Sequence, residues 1–175
     1  MYYIGVDLGT SAVKLLLMEE SGKICNIVSK EYPLFFPHPG WSEQNPEDWF
    51  TQSVEGMKEL TEGIDRSQVA GIGFGGQMHG LVMLDKDNNV LRKSIIWCDQ
   101  RTATECEEIT ARVGAERLIE ITANPALTGF TASKILWVRN NQPEIYAKCA
   151  HILLPKDYVR SVSYTHLTLP TNSLV

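Results

Sequence analysis

The sequence predicts a mixed α/β domain with antiparallel strands along one edge of its sheet, and three observations lead there. Apolar runs at Tyr2–Leu8, Ala12–Met18 and Ile24–Tyr32 follow one another across very short links. Links that short force an antiparallel meander, because a parallel return needs a long crossover connection. A strong helix start at Asn45-Pro46-Glu47-Asp48 comes next, then the short apolar strand Val69–Phe74. The remaining order is an insertion, a helix and a last strand. A chain of 175 residues matches one domain with a little extra, long enough to bury a core without disulfides or metals.

Each element has its own signal. Glu19-Glu20-Ser21-Gly22-Lys23 is a turn between the second and third strands, and Pro33 to Trp41, with three prolines, is a shaped loop. Asn45 can cap the helix, Pro46 suits its first position, and Glu47 and Asp48 favour the positive end of its dipole. The expected buried stripe runs through Phe50, Val54, Met57 and Thr61, with Trp49, Ser53 and Leu60 alongside, and the helix ends near Gly63. Leu81–Leu84 and Val90–Trp97 read as a strand pair joined by Asp85-Lys86-Asp87-Asn88-Asn89. Asp99 is expected to cap a helix from Arg101 to Arg112, followed by a short helix over Ala115–Ile121 and another over Ser133–Arg139. Ile152–Leu154 is the last strand, and Pro155 opens a helical turn through Arg160. The tail from Ser161 carries no charged residue and no helical stripe.

Composition excludes several classes. Apolar residues make up 43% and charged residues 21%, the balance of a folded soluble chain. A formal charge of −5 argues against a general nucleic-acid binder. Lys14, Glu19 and the glycines interrupt every apolar stretch before it could span a bilayer. The N-terminus has no basic region and places Asp7 where a signal peptide would be apolar, so a cytoplasmic protein is expected. Cys25, Cys98, Cys106 and Cys149 form no metal or disulfide spacing and read as reduced thiols.

Four groups of residues could carry chemistry. Asp7-Leu8-Gly9-Thr10-Ser11 lies at a tight turn between strands. Gly9 admits a close ligand, turn N–H groups can cradle an anion, and Asp7 offers hard oxygen to Mg²⁺. Read alone, the same residues are an ordinary glycine-containing hairpin turn. Gly71-Ile72-Gly73-Phe74-Gly75-Gly76 matches a dinucleotide fingerprint in form, but it leads into the strand Leu81–Leu84 and not into a helix. Its glycines instead suit a strand end that approaches another backbone or a small ligand. His79, beside Met78 at that strand end, suits hydroxyl groups, or is a histidine satisfied by backbone. Trp97-Cys98-Asp99-Gln100-Arg101 offers an indole for a sugar face, with Asp99 or Arg101 for hydroxyl or phosphate; equally it is a core tryptophan, a helix cap and a surface arginine.

Taken together and in this order, Asp7-Leu8-Gly9-Thr10-Ser11, Gly40-Trp41-Ser42-Glu43-Gln44, Gly76-Gln77-Met78-His79-Gly80, Trp97 to Arg101 and Leu154-Pro155-Lys156-Asp157-Tyr158 resemble the FGGY carbohydrate kinases. The segment Gly129 to Asn141 looks like that family's first signature. Gln77-Met78-His79-Gly80 is similar to the xylulokinase branch, whereas glycerol kinases carry an Arg-Glu pair there. Actin- and chaperone-like ATPases share Asp-Leu-Gly-Thr but require neither that tetrapeptide nor the Lys134 signature.

The resemblance implies an actin-like, ribonuclease H-like domain over residues 1–160, with an inserted sugar-site subdomain, working with ATP and Mg²⁺ on a sugar. By motif, Asp7 helps hold Mg²⁺ and phosphates with Gly9, Thr10 and Ser11 nearby. Met78 and His79 line the sugar site, Trp97 packs on the sugar, and Asp99 and Arg101 bind it too. Other ketoses, polyols or sugar acids, or a non-catalytic sugar- or nucleotide-binding module, are the alternatives. The family carries its general-base aspartate and adenosine site in a C-terminal domain that these residues do not contain, so a truncated, inactive fragment is expected, from an enzyme whose full-length form could be a homodimer. Residues 161–175 are expected to be a non-native or disordered tail, Ser163 to Asn172 looking like translated cloning or adaptor DNA.

Overall fold

The computed structural model of the chain describes residues 1–166. Chain order is β1 (Tyr2–Leu8), β2 (Ala12–Glu19), β3 (Ile24–Glu31), β4 (Glu43–Gln44), α1 (Pro46–Leu60), β5 (Val69–Gly76), β6 (Val82–Leu84), β7 (Ser94–Ile95), α2 (Ala103–Val113), α3 (Ala115–Thr122), α4 (Thr131–Asn141), α5 (Pro143–Lys148), β8 (His151–Leu153) and α6 (Pro155–His166). Two compact units interleave along this sequence. The first takes Met1–Tyr32, Glu47–Gly76 and the chain from Lys156 onward; the second takes Pro33–Pro46 and Gln77–Pro155.

The first unit is built on a four-stranded sheet of order β3-β2-β1-β5. β1, β2 and β3 form the expected antiparallel meander, Tyr2 lying opposite Glu19 and Leu8 opposite Val13. β5 adds in parallel to β1, Ile4 opposite Ile72 and Leu8 opposite Gly76. The sheet is therefore mixed, with its antiparallel strands at one edge. Ile4, Val6 and Leu8 alternate with more open positions, as do Val13, Leu15 and Leu17, so one face of the pleat is the core face.

α1 buries Trp49, Ser53, Met57 and Leu60, while Phe50 and Val54 are only half-buried. The buried stripe is thus centred beside the expected one, and the reason is Gly56. A Cβ there would lie 2.4 Å from Leu15 Cδ1, so the helix comes closest to the sheet at Gly56. Gly76 marks a second close approach. Its φ is +141°, and a Cβ would stand 2.5 Å from the Leu8 carbonyl oxygen. The glycine-rich run is a strand end pressed on a neighbouring backbone, and no helix begins there.

In the second unit, β4 pairs antiparallel with β7, and β6 pairs antiparallel with β8. The expected pairing of Leu81–Leu84 with Val90–Trp97 survives only as the single bridges Leu81–Ile95 and Leu84–Val90. Leu81, Val82, Met83 and Leu84 are all buried, so β6 is covered on both faces and finds its ladder partner far along the chain. Leu81, Met83, Ile95, Trp137 and Val138 form the core. α4 starts at Thr131, two residues before the expected Ser133. α5 was not expected, although Pro143 at its first turn is a helix-start signal.

α6 continues beyond the expected Arg160 to His166; residues 167–175 of the expected tail lie outside the described residues. Among the described residues no helix is long and apolar enough to cross a membrane.

Candidate functional site

The candidates for phosphate and metal sit in the first unit. Val6 and Leu8 point into the core, so the pleat turns the Asp7 side chain the other way, and the residue is exposed. The turn behind it is tightly made. The Gly9 N–H donates to the Ala12 carbonyl at 3.0 Å, and a Cβ at Gly9 would meet that oxygen at 2.8 Å. Gly9 thus closes the hairpin with its own N–H, and its contribution is steric. Tyr32, which the sequence did not single out, locks the turn from the end of β3. Its phenol donates to the Gly9 carbonyl, and its N–H donates to the Ser11 carbonyl at 3.3 Å. Burial first, and then the Asp7 charge, push the Tyr32 phenol well above its ordinary range, so it stays a donor.

No group of three or more His, Cys, Asp or Glu side chains poised for a metal exists among the described residues. Magnesium keeps several waters and is commonly held by one or two carboxylates together with substrate phosphates, and one open carboxylate at a strand end meets that need.

The sugar candidates sit in the second unit. His79 has φ +66°, a left-handed conformation uncommon for a residue with a Cβ. Its carbonyl accepts from Lys134 Nζ at 2.8 Å and from Thr131 Oγ1 at 3.2 Å. Its ring packs on Phe130, centroids 4.7 Å apart, beside a mostly apolar cavity of about 330 Å³ that Leu118, Leu127 and Phe130 also line. Met78 and Trp97 are about half exposed, at 53% and 49%. The Trp97 carbonyl lies 2.9 Å from where a Gly129 Cβ would stand. The segment Gly129–Lys134 therefore touches the main chain at both Trp97 and His79.

Asp99 and Arg101 go elsewhere. Asp99 is fully buried and accepts from the Ser42 N–H at 2.6 Å, the Arg101 N–H at 2.9 Å, and the Arg101 guanidinium at 2.7 and 3.0 Å. Arg101 also bonds Glu43 Oε1 at 2.8 Å and stacks 3.8 Å above the Trp41 ring. Arg92 reaches the same Glu43 oxygen at 2.6 Å and lies 5.5 Å from the Trp137 ring centroid. Burial pulls the Arg92 guanidinium down to about 10, against the opposing pull of Glu43. Asp99 does not cap α2; Thr102 stands at that helix's N-terminus.

Lys134 is the other residue whose role spacing alone did not reveal. It is fully buried, and its Nζ donates to the Gly129 carbonyl at 2.6 Å as well as to His79. Burial lowers it to about 8, with Asp99 pulling the other way. The available signal was its place inside the Gly129–Asn141 segment, a charged residue in an otherwise packed helical stripe.

Known proteins are similar to this chain in sequence and in fold. The chain is 50% identical over 161 residues to the xylulose kinase of Bacillus subtilis, covering 91% of this chain and 32% of that protein. It is 44% identical to the xylulose kinase of Escherichia coli, covering 90% and 32%. The ligand-bound crystal structure of a xylulose kinase from Lactobacillus acidophilus superposes with TM-score 0.84 at 32% identity, over 90% of this chain and 32% of that one. The chain thus spans about a third of the length of the curated relatives it matches. The family model described as the FGGY family of carbohydrate kinases, N-terminal domain, matches residues 2–168. With that match over most of its length and the mixed sheet with antiparallel strands at one edge, this chain belongs to the FGGY family of carbohydrate kinases.

Proposed function

We propose that this chain is the sugar-recognising portion of an ATP-dependent kinase that transfers the γ-phosphoryl group to D-xylulose, giving D-xylulose 5-phosphate and ADP. The observation that carries the reading is the Met78-His79 pair, held on a left-handed turn in a chain half identical to a xylulose kinase. His79 would exchange hydrogen bonds with sugar hydroxyls, and the half-exposed Trp97 indole would pack against C–H groups. Asp7 would meet the magnesium that accompanies ATP, and that ion would neutralise phosphate charge. Gly9, Thr10 and Ser11 would shape the turn beside it. We assign Asp99 and Arg101 to positioning and not to sugar contact, because the protein's own groups already surround them.

Phosphoryl transfer needs a base to orient the attacking hydroxyl and a closed, charge-neutralising site. The resemblance to the family implies that its aspartate for that task lies outside these residues, and on that reading the 175-residue chain by itself should bind sugar without turnover. Calorimetric titration with D-xylulose, D-ribulose, glycerol and gluconate tests the specificity. Binding should be strongest for xylulose and weakened about tenfold, but still measurable, on His79→Ala; preference for another sugar overturns the xylulose assignment. Xylulose-dependent ADP release by the isolated chain overturns the statement about turnover.

A further inference from the structure

We propose that Lys134 is a positioning residue for sugar recognition, its buried side chain fixing the main chain of His79 in the left-handed conformation that presents the imidazole. The proposal rests on the sugar-kinase reading and adds to it a residue that touches no substrate. A non-glycine residue at φ +66° persists only where its surroundings over-determine it. Here they do so from two sides. Lys134 Nζ at 2.8 Å and Thr131 Oγ1 at 3.2 Å both donate to the His79 carbonyl from the first turn of α4. On the following residue, a Cβ at Gly80 would lie 2.5 Å from Pro155 Cγ, so the Pro155 ring blocks the chain beyond His79 from shifting toward that side.

The choice of lysine is the informative part. Nζ lies in a fully buried residue, where an ammonium without partners is costly and a leucine or methionine would pack freely. Its donors go to the carbonyls of Gly129 and His79, both main-chain groups of the segments that form the His79 environment. Phe130, the residue directly after Gly129, is the ring on which the imidazole packs. One side chain thus holds the backbone of His79 and the loop that supports its ring. Even a neutral amine keeps two N–H donors for the two carbonyls, so the hold does not depend on protonation.

The test is Lys134→Met in the 175-residue chain, with folding checked by circular dichroism. D-xylulose affinity should fall about tenfold, as expected for losing a buried hydrogen bond that orders the site. In the His79→Ala background the same substitution should cost less than about twofold, because nothing remains to be positioned. The ¹³Cα and ¹³Cβ shifts of His79 should leave the left-handed range in Lys134→Met. Unchanged affinity in a folded variant, or an equal loss in both backgrounds, overturns the proposal. If the parent chain binds no xylulose, the sugar reading fails by itself, and unmoved His79 shifts would separately overturn the role of Lys134. Should Lys134→Met not fold, Thr131→Val removes the other donor while leaving the lysine, and it must shift His79 in the same direction or the proposal falls.

Discussion

Replacing Asp99 with alanine probes the buried charge network most directly. Glu43 and Asp99 balance Arg92 and Arg101, and the side chains of Asp99 and Arg101 are 0% and 1% exposed. Without Asp99 the Arg101 guanidinium keeps only Glu43 Oε1, an oxygen that Arg92 already engages at 2.6 Å. The network is left with one excess positive charge, and the Ser42 N–H loses a partner at 2.6 Å. Breaking a buried pair by removing one member costs about 3–5 kcal/mol, and an orphaned buried amide about 1–3 kcal/mol, terms that overlap because the same carboxylate serves both. A loss of about 4 kcal/mol is expected. Urea unfolding followed by tryptophan fluorescence reads it, since Trp41 lies 3.8 Å from the Arg101 guanidinium carbon. At a urea slope of about 2 kcal/mol per molar, the midpoint should fall by about 2 M. The exposed pair Arg112–Glu108 is the control: Arg112→Ala should cost under about 0.5 kcal/mol. If Asp99→Ala cost no more than that control, the network would not be what holds this part of the chain, and assigning Asp99 away from sugar contact would lose its basis.

Three further outcomes follow from the geometry. Gly76→Ala should lose about 2 kcal/mol or more in chemical denaturation, since the new methyl meets the Leu8 backbone at 2.5–2.7 Å and the φ of +141° suits glycine alone. Tyr32→Phe, which leaves the ring but removes the donor to the Gly9 carbonyl, should cost about 1 kcal/mol by thermal unfolding. The stability of the parent relative to Lys134→Met should rise with pH. Burial lowers Lys134 from 10.5 to about 8, so between those values the unfolded chain holds a proton that the folded chain has released. Stability grows with pH wherever the unfolded state binds more protons, by at most about 3 kcal/mol across this window and not at all below it. Urea midpoints of both proteins at pH 7 and pH 10 measure the difference; a parent midpoint that falls relative to that of Lys134→Met between those pH values would contradict the burial of a charged lysine.

The local parts of this fold were readable because their causes are local. Short links dictated the meander, and Asn45-Pro46-Glu47-Asp48 placed the start of α1. The face of α1 was harder to place, because what decides it is the approach of Gly56 to Leu15, a contact between segments far apart in sequence. β6 and β7 lie near each other as expected, yet they pair with β8 and β4, choices made by burial on both sides and invisible to alternation. The candidate site divides along the same line. Asp7, Met78 and Trp97 are exposed at strand ends and loops, and His79 is half-buried against Phe130. Asp99 and Arg101 occur in the same kind of motif but fold inward, because their partners Ser42 and Glu43 come from a distant loop and strand. Tyr32 and Lys134 act through main-chain carbonyls, and a carbonyl leaves no trace in a residue pattern.

The interleaving of the two units bears on the order in which a ribosome can deliver them. The hairpins of β1, β2 and β3 can zip as soon as Tyr32 has emerged, and β5 can dock once Gly76 is out. α6 belongs to the same unit but is translated only after the whole of Gln77–Pro155. The first unit must therefore wait, partly assembled and with apolar surface uncovered, while about 80 more residues are polymerised, a delay of several seconds at typical elongation rates.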